Sequence, residues 1–101
     1  MQDFKAELAA SLDEAEFSWL KPHVQRDVVV VVNQELDLLD VGVAIARDDT
    51  TSVQHWISKQ LLHKPFPEQL AQWNSNPSKR FQALIVQPYV LVQELAAQGH
   101  N

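Results

Sequence analysis

Residues 81 to 95 read Phe-Gln-Ala-Leu-Ile-Val-Gln-Pro-Tyr-Val-Leu-Val-Gln-Glu-Leu, apolar at odd and even positions alike. A half-buried strand alternates apolar with polar residues, so a stretch without that alternation has to be covered on both faces. Val28 to Val32 is an unbroken run of five valines and makes the same demand. Its β-branched side chains favour extended backbone. Strands are therefore expected at about 28–32 and 81–87, with helices packed against them. Pro88 divides the second run. Val90, Leu91 and Val92 favour a third strand at 89–93, whereas Pro88 as a helix start and Gly99 as a C-terminal cap permit a last helix.

The remaining segments carry helical spacing. Phe4, Leu8, Leu12, Ala15 and Trp19 recur every three or four residues, which predicts one amphipathic helix over about 3–20. Ser11 with Glu14 matches a capping box, so a second reading splits that segment into two helices near Ser11. Pro22 is expected to end or kink the helix at Leu20 or Lys21, with a turn through His23 to Asp27. After the valines, Asn33 is the expected N-cap of a largely buried helix over about 34–47, on which Asp37, Asp40 and Arg47 form the polar stripe. Thr51 with Gln54 opens another helix that ends near His63 before Pro65. Pro67 suits the first position of a short helix carrying Leu70, Ala71 and Trp73, and Asn74-Ser75-Asn76-Pro77 breaks the chain before the last run.

The order predicts an α+β fold, mainly helical, with a small sheet, as a single domain over 1–101. Two strands alone make a marginal sheet. An exposed edge of five valines would recruit another chain unless it were paired or covered. Either 89–93 supplies the third strand or a second copy completes the sheet, and a homodimer formed through or over the sheet is expected.

Composition narrows the function. The net charge of −5 leaves no basic footprint for nucleic acid or an anionic membrane surface. Two glycines in 101 residues argue against a glycine-rich phosphate loop. The absence of cysteine removes disulfides, thiolate zinc sites and a cysteine nucleophile, and it fits a reducing compartment. The charged N-terminal segment has no signal-peptide core, and no apolar run approaches the ~20 residues that span a bilayer, so a cytoplasmic protein is expected.

The ordered series Trp19-Leu20-Lys21-Pro22-His23, Leu36-Asp37-Leu38, Val43-Ala44-Ile45-Ala46-Arg47-Asp48-Asp49-Thr50, Val53-Gln54-His55-Trp56 and Val86-Gln87-Pro88-Tyr89-Val90-Leu91-Val92-Gln93 resembles a small bacterial family. It is the one numbered 2288 among the domains of unknown function. The resemblance covers about residues 5 to 94. In that family's pattern a glycine usually follows the arginine before the first strand, where this chain has Asp27, which bears on the turn there. The resemblance implies a bacterial, cytoplasmic, single-domain protein and brings no catalytic residues with it.

The richest polar cluster is Asp48, Asp49, Thr50, Thr51 and His55. At a junction between two helices, two carboxylates and an imidazole one turn along have the chemistry of a divalent-metal site or an acid and base pair. The same residues also serve as ordinary helix-start chemistry, with Asp49 and Thr51 as caps. Asp37 and Asp40 share a helix face but offer fewer oxygens than a hard cation needs. Trp19, Trp56 and Trp73 each stand at an apolar-face position, as core anchors or as pocket and interface residues. Gln87, Tyr89 and Gln93 place polar groups in an apolar segment, and each needs a partner if buried.

No H-E-x-x-H, P-loop, G-x-S-x-G or dinucleotide motif occurs. No cofactor or metal site is therefore assigned. The expected function is a non-catalytic binding or assembly module, homo-oligomeric, that presents an acidic surface to a protein partner. Asp48, Asp49, His55, Trp56 and Tyr89 are its candidate binding residues. The alternative is a small metal-dependent or acid/base hydrolase using Asp48, Asp49 and His55, with Asp37 or Asp40 as further ligands.

Overall fold

The two apolar runs lie in one sheet, and residues past Pro88 join them as a strand. The computed structural model describes residues 4–95. In chain order these form α1 (Phe4–Ala9), β1 (Asp13–Glu16), α2 (Phe17–Gln25), β2 (Val29–Val32), α3 (Leu38–Ala46), α4 (Thr50–Ser58), β3 (Leu62–His63), α5 (Pro67–Asn74), β4 (Arg80–Val86) and β5 (Tyr89–Glu94). The fold is α+β. The strand order across the sheet is β1-β4-β5-β2-β3. A two-residue turn with a cis Gln87–Pro88 bond joins β4 to β5, so Val86 pairs with Tyr89 and Phe81 with Glu94. β5 then runs parallel to β2, with Val29 opposite Val90 and Val31 opposite Val92. Gly99, the cap of the alternative helix, lies outside the described residues.

Both faces of the central strands are covered, as their lack of alternation requires. Val29, Val31, Phe81, Ala83, Val90 and Val92 point to the side of α2 and α5, where they meet Phe17, Leu20 and Trp73. The intervening Val32, Leu84, Val86 and Leu91 point to the opposite side, against Leu38 and Val41 of α3, with Leu8 of α1 and Val53 of α4 packed alongside. Helices therefore flank the sheet on both sides. α3 approaches β4 closely because Gly42 faces it: a Cβ on Gly42 would lie 2.5 Å from the Leu84 Cδ2.

The valine run is not an edge. β5 holds one side of β2, and on the other side Val31 and Val32 pair with His63 and Leu62. The outermost strands are instead poor templates for another chain. β3 is two residues long and leads into Lys64 and Pro65, while β1 reads Asp-Glu-Ala-Glu. Short, charged or proline-flanked edges resist strand addition. The backbone N–H of Glu14 donates to its neighbour Asp13 Oδ1 at 2.8 Å, which occupies a donor of that strand locally.

Several expected boundaries move. The single helix over 3–20 is instead α1, β1 and α2, with the break at Ser11, whose hydroxyl donates to the Leu8 carbonyl. The periodicity was satisfied by two different burials: Leu8 and Leu12 pack on the α3 side, and Ala15 on the α2 side. α2 starts directly after β1 because the Phe17 and Ser18 N–H groups donate to the Lys79 and Pro77 carbonyls, which replaces a capping side chain. Pro22 does not end α2. It stands inside the helix on an exposed side, and Ser18, whose carbonyl loses a donor, is exposed as well. Asn33 caps a turn rather than a helix, accepting from the Glu35 N–H. Asp37 is the true N-cap of α3, accepting from Leu39 and Asp40. α4 ends at Ser58, so His63 falls in β3. Trp19, expected on an apolar face, is 45% exposed, whereas Trp73 is buried between Phe17 and Phe81. Gln93 finds its partners within the chain, donating to the Asn33 and Leu36 carbonyls.

With so few glycines, three helix exits use other residues in the left-handed region: Asp27 (φ 65°), Asp48 (φ 59°) and Gln60 (φ 63°). Asp27 thus enters the conformation that a glycine after Arg26 would adopt freely. Glutamine lacks the local hydrogen bonding that eases aspartate into this region. Gln60→Gly is expected to raise stability by about 0.5–1 kcal/mol. Urea titration checks this, and a loss of stability would refute it.

Candidate functional site

A cleft of about 450 Å³ opens where the end of α3, the start of α4 and the edge of the sheet meet. That volume lies in the range of small-molecule sites. Its floor is apolar, built from Val30 of β2, Leu62 of β3 and Ala44 and Ile45 of α3, with Val53 and Ile57 of α4 as one wall. The rim is polar and comprises Asp48, Asp49, Thr50, Gln54, His63, Lys64 and Tyr89. Val53 and Ile57, four residues apart, share one helix face. Ile57 (48%) and Tyr89 (42%) stay exposed at the mouth.

Local contacts set Asp49 and His63 at the rim, whereas Lys64 is held from a distant part of the chain. The Asp49 carboxylate caps α4, accepting from the Ser52 N–H at 3.2 Å and from the Ser52 hydroxyl at 2.8 Å. The Ser52 hydroxyl foremost, then its N–H, hold the Asp49 carboxyl below its usual range, and the nearby Arg47 charge adds to this. Asp49 is therefore a committed anion at neutral pH and a poor general acid. Asp48 follows the α3 C-cap in the left-handed region, and its carboxylate has no hydrogen bond or ion pair among the described residues. The Lys64 ammonium is drawn to Asp27 Oδ2 at 2.6 Å. The His63 ring stacks on Phe66 with centroids 4.1 Å apart, and its Nδ1 lies 2.8 Å from the Lys64 carbonyl oxygen.

Of the five candidate binding residues, the fold brings Asp48, Asp49 and Tyr89 to this cleft. His55 is exposed on α4 and does not line it, and Trp56 is half-buried against the core on the α3 side. Asp37 caps α3, and Asp40 meets Lys5 at 3.3 Å. No group of three or more His, Cys, Asp or Glu among the described residues is placed to hold a metal ion. No helix among them is long and apolar enough to cross a membrane. The floor residues and His63 and Lys64 escaped the sequence reading. They come from β2, α3, β3 and the loop after β3, and only the Val53–Ile57 spacing hinted at a shared apolar wall.

No curated protein matches the chain. The solution NMR structure of PA1075 from Pseudomonas aeruginosa is similar to it, with a TM-score of 0.79 at 26% sequence identity, over 100% of this chain and 93% of that one. The agreement extends beyond fold to sequence: with residues 3–94 matched, the chain belongs to the family described as Protein of unknown function (DUF2288).

Proposed function

We propose that the protein is a non-catalytic binding module that works as a homo-oligomer, with the α3–α4 cleft as its binding site. The observation that carries this reading is the cleft's composition: an apolar floor under a rim of a few polar groups, the usual make-up of a ligand site. The hydrolase alternative finds no support in the geometry, because His55 does not line the cleft with the two carboxylates, the three form no metal-holding group, and Asp49 is spent as a cap. Self-association is supported by a second surface on the other side of the sheet, where exposed Trp19 and Ile85 share with Ala15 and Ala83 a groove that Asp13, Glu14, Glu16 and two serines also line. Since both sheet edges are blunted, a second copy docks over this face rather than through strand pairing. Such an interface leaves the cleft open. A bacterial, cytoplasmic setting, a single folded unit and an acidic surface offered to a protein partner complete the proposal.

The test uses a neutral apolar probe, 1-hexanol, followed by amide chemical shifts of the 11.5 kDa chain. Saturable shifts are expected at Ala44, Ile45, Val53, Ile57 and Leu62, and their absence rejects the cleft as a binding site. Sedimentation velocity is expected to give a dimer that Trp19→Ala weakens. A monomer at about 100 μM, well above the micromolar range of specific complexes, rejects self-association.

A further inference from the structure

We propose that the ligand of the α3–α4 cleft is a small amphiphile with an apolar body and a protonated amine. This rests on the cleft's being a binding site. The floor of Val30, Ala44, Ile45 and Leu62 offers no hydrogen-bonding side chain, so the buried part of the ligand is hydrocarbon. The volume suits one such group.

The charge at the rim is one-sided. Asp48 and Asp49 are both anionic side chains of the lining, and the Asp48 carboxylate has no partner among the described residues. The one cation of the lining, Lys64, is already engaged by Asp27. Arg47 influences Asp49 but does not line the cleft. The α4 N-terminus would by itself attract an anion, yet the Asp49 carboxylate already occupies it. The net demand at the mouth is therefore for a cation, and Asp48 is the carboxylate available to it. Tyr89 adds an aromatic ring, which also favours a cation at short range.

Three probes that share a hexyl tail and differ only in the head group test this: hexylammonium, 1-hexanol and heptanoate, each titrated at pH 7 with amide shifts as the readout. Hexylammonium is expected to bind about fivefold more tightly than hexanol, and heptanoate more weakly than hexanol. Asp48→Asn is expected to reduce the hexylammonium preference to less than about twofold; asparagine tolerates the left-handed backbone at this position. In the unaltered protein, about 0.5 M salt should erode the same preference, which keeps the test valid if the variant folds poorly. Cleft shifts with heptanoate binding as tightly as hexylammonium, or a preference untouched by Asp48→Asn, would overturn the amine inference and leave the binding site standing. No saturable shift at Val53 or Ile57 with any of the three probes would remove the site beneath it.

Discussion

Replacing Trp73 by alanine is expected to cost about 3–5 kcal/mol of folding stability. Trp73 is 2% exposed, the largest of the fully buried side chains, and it closes α5 onto the sheet. Its ring meets Phe81 edge-on at 4.9 Å and Phe17 at 5.7 Å. Truncation therefore removes both the apolar burial and two aromatic contacts, each of which adds about 0.5–1.5 kcal/mol to the area burial. It also leaves a cavity that the β4 and β5 backbones cannot fill without breaking their ladder. Total stabilities of domains this size run about 5–15 kcal/mol, so the variant stands close to unfolding. The midpoint of thermal unfolding, followed by far-ultraviolet circular dichroism, should fall by on the order of 20 °C. A Trp73→Ala variant within about 1 kcal/mol of the parent would show that α5 does not anchor the core.

Leu84→Ala is expected to cost about 2–5 kcal/mol, and it should reverse the sign of a second change at Gly42. Leu84 is fully buried in β4 beneath α3. In the parent, Gly42→Ala sets a methyl 2.5 Å from the Leu84 Cδ2, while Leu8 and Val86 stand at ordinary contact distances of 3.4 and 3.5 Å. Overpacking of this kind costs about 1–3 kcal/mol, and the gain in helix propensity returns about 1. Gly42→Ala alone should thus be destabilising by about 1 kcal/mol. Once Leu84 is alanine the clash is gone, so the same methyl fills part of the cavity and keeps its propensity gain. Urea titration of the two single variants and the double variant measures the coupling. Costs that simply add within about 0.5 kcal/mol would mean that α3 does not rest on β4 through this contact.

Helix starts were read well where a residue acts on its own backbone. Pro67 begins α5 because proline needs no donor there, and Phe66 N–H donates to the Gln69 side chain three residues on. Of Asp49 and Thr51, the two expected caps of α4, Asp49 caps it and Thr51 lies inside the first turn. At α3 the expected cap was Asn33, with Asp37 on the polar stripe, although aspartate caps as readily as asparagine. Asp37 won because Leu38 and Val41 then face the sheet, a matter of long-range packing. The candidate site shows the same division. Asp48, Asp49 and Tyr89 were picked as polar groups in informative surroundings, but the floor beneath them joins residues from positions 30, 44, 45 and 62, which no local spacing connects.

The sequence alone determined that two runs, 28–32 and 81–87, form strands covered on both faces, because apolar side chains on both sides of an extended chain have no other low-energy home. It also left 89–93 open between strand and helix, since Pro88 suits either start. Tertiary structure decided that question, as pairing with β4 and with β2 satisfies the backbone of β5 on both sides at once. It likewise made a strand of Asp13–Glu16, whose residues favour no strand by themselves, and placed two-residue β3 beside the valines. An edge strand borrows its hydrogen bonds from its neighbour, so its state is written in the neighbour's position rather than in its own side chains.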